Sequence, residues 1–429
     1  MVNKNMVKQR RLNELPDEVV LKILSMIPPF KQSVAKGLIS KQREDPYKLV
    51  PDVTFEDDNE ESLVTFMSFI YGSLLSDGDQ SLQRLHLKLV RYYSASKINF
   101  WVQVAVNRSV RKLKFDVYHE TLELPRCLSS CTTLKSLILR DVYLDYVPLE
   151  FSLPSLKSLH LFSVGFSHQN PIARLLLSCP NLEYLVIYKT YYYYAENDNV
   201  SLYNINVPTL KSLTINNSIE TRAAADNKEN HGFWINAPAL ETLNIKDTVS
   251  NFLTLEFMPE VTKANIQVTC DQSEKFIGSL TSIKHLSLCS PTSETPYRSG
   301  FVFPYLEHLE LCTCSPEWAN LLASILNGAP RLQSLKLKSN HSAPSNDPKK
   351  FWETPAVVPE CLLTHLEIFE WRQYEDTVQH RKVAAYILAN ATCLKMATFS
   401  TRSRDKDQLM PMQIKTLNRT SETCQLVFE

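Results

Sequence analysis

Glycine is nearly missing from this sequence, at eight residues in 429. No two stand a single residue apart, so no G-x-G turn is present to cradle a nucleotide phosphate. HExxH and GxSxG are absent as well. His, Asp, Glu and Cys are scattered rather than gathered at ligand or triad spacing, and no catalytic site is expected. Net charge is also lacking: 46 Lys and Arg balance 46 Asp and Glu. Such a chain has no global field to draw in nucleic acid or an anionic membrane, and neither is expected as a partner. No apolar run reaches the roughly 18–20 residues that span a bilayer. The opening MVNKNMVKQRR is basic and has no apolar stretch of signal-peptide length. The ten cysteines are therefore expected to be reduced thiols, in the cytoplasm and/or nucleus. Cys312 and Cys314 form a CxC pair, and Cys127 and Cys131 a CxxxC pair. Neither has a second pair or a His pair at zinc-finger spacing, so no metal and no cofactor are expected.

What the chain has in abundance is one phrase, L-x-x-L-x-L. It runs LQRLHL from Leu82, LKSLIL from Leu134, LKSLHL from Leu156, LEYLVI from Leu182, LKSLTI from Leu210 and LETLNI from Leu240. IKHLSL from Ile283, LEHLEL from Leu306 and LQSLKL from Leu332 continue it. Looser copies start at Val110, Val261, Leu366 and Leu394. The step is mostly about 21–30 residues, which overlaps the leucine-rich-repeat period. The second and third Leu alternate, so both point to one face of a short strand. One repeat cannot cover that face, but stacked repeats can. The expected fold is α/β: a leucine-rich-repeat solenoid with a curved parallel sheet and an irregular helical convex side. Pro often precedes the phrase, as in LPSLKSL and VPTLKSL, where a turn must feed the strand. PIARLLLSC, EWANLLASILNG and HRKVAAYILANATCL carry helical periodicity, whereas TYYYYAENDNV and SNHSAPSNDPKK look irregular. The Asn common late in such repeats is mostly absent, and irregular turns are expected.

The N-terminus differs. In LNELPDEVVLKILSMIPP, Pro16 suits a first helical position, and Asp17 and Glu18 suit the positive end of a helix dipole. Val19, Val20, Ile23, Leu24 and Ile27 recur one turn apart, and Pro28 and Pro29 end the helix. A weaker helix follows in KQSVAKGLIS, with Val34, Ala35, Leu38 and Ile39 on one side. Segments below roughly 40 residues rarely bury enough apolar surface to fold alone. These faces must meet the rest of the chain or another protein.

This stretch, with KLVPDVTFED after it, resembles the F-box, the helical module that docks on the Skp-type adaptor of cullin–RING ubiquitin ligases. VVPECLLTHLEIFEWRQY, VAAYILANATCLKMATFS and TCQLVFE resemble the FBD region of plant F-box proteins. The whole chain thus resembles a plant F-box/FBD/LRR-repeat protein. The organisation this implies is a disordered basic tail over 1–11 and an F-box-like module over 12–55. The repeat solenoid follows over 56–350, and an FBD-like region over 351–429 completes it.

By that resemblance Leu15, Pro16, Val20, Ile23, Leu24 and Ile27 would dock the adaptor, with Val34, Leu38 and Ile39 in the second half. The partners implied are a Skp-type adaptor with its cullin core and an unknown target protein. The alternative is a protein-binding solenoid with a degenerate F-box and no ligase link, because Arg43 and Tyr47 stand where the family pattern has tryptophans. Residues between the buried Leu positions should face the concave surface. In order they give Arg84, His86 and Lys88, then Lys112, Lys114 and Asp116, a basic strip. The strip runs into Ile138, Arg140, His160, Phe162, Tyr184, Val186 and Tyr188, the expected target site.

Overall fold

The computed structural model describes residues 52–57, 63–64, 66–67, 70–71, 81–118, 121–189, 200–218, 231–268, 278–289, 302–339, 352, 354–401 and 410–429. The two N-terminal helices expected over 12–40 and the Tyr191–Tyr194 run lie outside them. The described residues fall into two compact units, one ending at Asn181 and the other running from Leu182 to Glu429.

Each copy of the phrase becomes one strand that begins at its third residue. In the first unit Asp52–Glu56, Arg84–Leu89, Lys112–Val117, Ser136–Arg140 and Ser158–Phe162 pair in that order, all parallel. In the second, Tyr184–Lys189, Ser212–Asn217, Thr242–Asp247, Lys263–Val268 and His285–Cys289 pair the same way. His308–Cys312, Ser334–Lys338, Ile368–Arg372, Met396–Phe399 and Gln425–Phe428 continue this ladder. The register aligns like with like: Leu85 with Leu113, Leu137 and Leu159, and Leu185 with Leu213 and Leu243. All of these leucines are buried, so the core of each unit is a stack of Leu rows. This is an α/β leucine-rich-repeat architecture. Its first strand, Asp52–Glu56, starts before the expected boundary at residue 56. Val53 and Phe55 occupy the buried rows beside Leu85 and Leu87.

The prolines act as expected. In Leu153–Leu156, Val207–Leu210, Ala237–Leu240, Phe303–Leu306 and Ala329–Leu332 the last N–H donates to the first carbonyl at 3.0–3.3 Å. Pro154, Pro208, Pro238, Pro304 and Pro330 hold the second position of these turns, where a φ fixed near −65° is required. At the opposite ends, three of the strands share a feature. Asp141, Ser163 and Gln373, each directly after a strand, share a left-handed backbone with φ of 54°, 50° and 59°. One turn thus recurs there without the usual Asn.

Helices connect some strands. Gln169–Leu177, Trp318–Gly328 and Val378–Asn390 fall where helical periodicity predicts them. Ala95–Asn107 is an additional helix, burying Ile98, Trp101, Val102 and Ala105 at one-turn spacing. Other connections are extended: Leu202–Asn206, Gly232–Asn236 and Phe252–Leu255 form a small parallel side sheet. Gly232 is one of the few glycines, and its place explains it. A Cβ there would lie 1.8 Å from the Phe252 carbonyl oxygen. Gly232→Ala must part these two strands and is expected to destabilise the second unit by roughly 1–3 kcal/mol, read by urea denaturation.

The C-terminal strands exchange leucine for aromatics. Phe369, Trp371 and Phe399 fill the buried rows, with Tyr374 and His380 packed against Trp371 at 5.1 and 4.9 Å between ring centroids. His380 is placed by its helix: Thr377 caps the N-terminus and its hydroxyl accepts the His380 N–H at 3.1 Å. Its Nδ1 accepts from the Glu375 N–H at 3.3 Å. Burial lowers the imidazole pKa to about 4. Near neutrality both folded and unfolded forms are uncharged. As pH falls below the unfolded value of about 6.5, only the unfolded chain takes up the proton, until the folded site titrates near 4. Stability should fall by roughly 3 kcal/mol over that window. The decline should be shallower in His380→Asn, measured by denaturation at stepped pH.

Candidate functional site

The alternation that buries the Leu rows turns the intervening residues outward, and the described part of this face holds the expected site residues. In the first unit the basic strip is not free charge. Arg84 pairs with Asp52 and Lys88 with Glu56, both from the strand alongside. Asp116 is almost fully buried at the centre. It takes His86 Nε2 at 2.8 Å and Lys114 Nζ at 2.7 Å, with Arg140 Nε at 3.6 Å. Burial alone would raise the Asp116 pKa, but the bonds from His86 and Lys114 outweigh it and hold the carboxyl below its ordinary value. Arg84, His86, Lys88 and Lys114 of the expected basic strip are therefore paired with carboxylates rather than free. Asp52 and Glu56 come from the strand alongside, whereas Asp116 stands two residues from Lys114 on the same strand and reaches across to His86.

Beside these pairs the face becomes apolar. Ile138 stands in register with Lys114 on one side and His160 on the other. Arg140 lays its guanidinium 4.5 Å from the Phe162 ring centroid, a cation–π geometry. His160 bonds Ser158 Oγ at 2.8 Å and lies 6.0 Å from Phe162. Burial lowers its pKa, so it is neutral at pH 7 and adds no charge. Ile138, Arg140, His160 and Phe162 are half-buried on adjacent strands.

In the second unit Tyr184, Val186 and Tyr188 share one strand. Tyr184 is 47% exposed and the other two are half-buried. They stand in register with Ser212, Thr214 and Asn216, and the face turns polar from there. Asn265 donates to Asn244 at 3.2 Å, and farther along Lys336 lies 3.2 Å from Glu310 and 3.9 Å from Glu370. The expected adaptor-binding residues Leu15, Pro16, Val20, Ile23, Leu24, Ile27, Val34, Leu38 and Ile39 lie outside the described residues.

Two clusters that spacing did not reveal bring metal-ligating atoms within 4.8 Å of one another: Cys289, Cys312 and Cys314, and His285, Glu307 and His308. In the second, the two imidazoles stack at 4.4 Å on exposed positions, with the positive charges of Lys263 and Lys284 close by. The thiol cluster had a readable signal. IKHLSLC and LEHLELC each place a cysteine directly after the third apolar residue, and repeat stacking sets such positions side by side.

A parallel ladder with buried Leu rows and a charge-paired outer face defines a leucine-rich-repeat protein. A family description, FBD-associated F-box protein At5g56370, LRR repeats, matches residues 98–254, and the FBD family matches residues 353–399. The FBD stretch covers the Ile368–Arg372 and Met396–Phe399 strands with the helix between them, so it holds the aromatic core around Trp371. An Arabidopsis thaliana protein named as an FBD-associated F-box protein is 59% identical over 426 residues, covering 99% of this chain and 100% of its own. An F-box/FBD/LRR-repeat protein of the same plant is 47% identical over 420 residues, 97% of this chain and 92% of its own. Another is 34% identical over 430 residues, 98% and 99%. The chain belongs to the plant F-box/FBD/LRR-repeat family.

Proposed function

We propose that this protein is the substrate-recognition subunit of a Skp–cullin–RING ubiquitin ligase. Its F-box, over 12–55, holds the adaptor, and its repeats hold a target protein. The observation that carries this reading is the likeness to a protein named for an F-box, extending over 99% of the chain and so including LNELPDEVVLKILSMIPP. In this reading the protein has no chemistry of its own. It raises the local concentration of a target beside the transferring enzyme, and proximity supplies the rate. Leu15, Pro16, Val20, Ile23, Leu24 and Ile27 dock the adaptor with Val34, Leu38 and Ile39. The target contacts Ile138, Arg140, His160 and Phe162 in the first unit and Tyr184, Val186 and Tyr188 in the second. Aromatic side chains and Arg are favoured interface anchors, and Tyr184 is 47% exposed. The assembly works in the cytoplasm or nucleus, where its thiols stay reduced. Among the described residues no helix is long and apolar enough to cross a membrane.

Quantitative affinity capture from plant tissue tests the division of labour. Changing Phe162, Tyr184 and Tyr188 together to Ala is expected to abolish target recovery while the adaptor is recovered as before. Equal target recovery by the folded triple variant would move the target site off these residues.

A further inference from the structure

We propose that Cys289, Cys312 and Cys314 form a binding site for one thiophilic closed-shell cation, zinc(II) or copper(I). The fold assembles the three sulfurs. Cys289 and Cys312 end adjacent parallel strands directly after the aligned pair Leu288 and Leu311. Thr313 then donates its N–H to the Lys338 carbonyl at 2.8 Å, and the chain turns so that Cys314 comes back to the same point. Cys314 Sγ lies 2.8 Å from Cys312 Sγ and 3.6 Å from Cys289 Sγ. The three residues are 4%, 3% and 2% exposed and form a small core of their own.

Three sulfurs each about 2.3 Å from one ion lie roughly 3.8–4.0 Å apart. One separation is already close to that, and the Cys312–Cys314 pair needs to open by about 1 Å. The donors are all soft and there is no carboxylate among them, which excludes calcium and magnesium and selects ions that prefer thiolate. Three sulfurs alone suit trigonal copper(I); zinc(II) would require a fourth ligand. The thiolate, not the thiol, is the metal ligand. Loading must therefore release protons and weaken as pH falls. The bound ion would tie two consecutive repeats of the second unit together.

The test uses the full-length chain, purified under reductant and titrated with zinc(II) alone or with copper(I) alone against a competing chelator. Metal content and sulfur coordination are read by mass spectrometry and X-ray absorption. One equivalent per chain in a sulfur shell is expected in one arm, with proton release and a raised melting temperature. Three-coordinate sulfur with copper(I) identifies that ion, and a fourth light ligand identifies zinc(II). Cys312→Ala and Cys314→Ala should each weaken binding by more than the roughly 10–100-fold that loss of an outer partner costs. Cys127→Ser and Cys393→Ser should leave it unchanged. Failure of the intact chain to bind either ion overturns the proposal without reference to any variant. So does equal binding by a folded Cys312→Ala chain, or oxidation of the three thiols that proceeds equally with and without metal.

Discussion

Trp371→Ala is expected to remove about 3–5 kcal/mol from the stability of the second unit. Trp371 is fully buried, on a strand paired on both sides. Its ring meets Trp318 edge-on at 5.6 Å, Phe369 at 6.0 Å and Tyr374 at 5.1 Å. Those rings belong to a preceding helix, its own strand and the following turn, and cannot all close on the space an alanine leaves. The indole N–H makes no hydrogen bond, so packing alone carries the effect. Trp371→Phe should therefore lose far less than Trp371→Ala. Guanidinium denaturation followed by circular dichroism measures both. Equal losses for the two variants, or a loss below about 1 kcal/mol for alanine, would contradict this role for the ring.

The second large effect is expected at Asp57, at the start of the first unit. Its carboxylate is fully buried and accepts from Tyr93 Oη at 2.7 Å, Arg91 Nε at 2.8 Å and the Arg91 N–H at 3.2 Å, with Arg91 Nη2 adding a further bond. These bonds fasten the end of the Asp52–Glu56 strand to the connection that follows Arg84–Leu89. Asp57→Ala removes this acceptor from the Arg91 guanidinium and from the buried Tyr93 hydroxyl, and should cost about 3 kcal/mol. Asp57→Asn keeps the shape but removes the charge and should fall between. Hydrogen exchange of the Asp52–Glu56 amides is the local readout. Unchanged protection in Asp57→Ala would show that strand pairing holds this edge unaided.

The sequence was most legible where one physical rule acts alone. L-x-x-L-x-L encodes a two-residue alternation, and thirteen copies locate thirteen strands because burial of the Leu rows leaves one register. The prolines were legible for the same reason, since φ is fixed in any context. Asp52–Glu56 was not, because DVTFE carries only two apolar residues and takes its place by pairing with Arg84–Leu89. The side sheet around Gly232 depends on strands from three separate repeats. The site divided likewise. Alternation identified which residues face outward, including Ile138, Phe162 and Tyr184. It placed Asp116 beside Lys114, but it could not show that Asp52 and Glu56 pair with Arg84 and Lys88 or that Asp116 takes His86, since those pairs reach across strands. Cys289 was missed because ligand spacing was sought within one segment, whereas stacking joins positions a whole repeat apart.

Titration of the purified, folded full-length chain with a purified Skp-type adaptor tests the central claim most directly. The account predicts saturable binding of one adaptor per chain, lost when Leu15 and Pro16 are both changed to Ala. Absence of binding by the intact chain would contradict it, and leave a repeat protein that holds its target without a ligase.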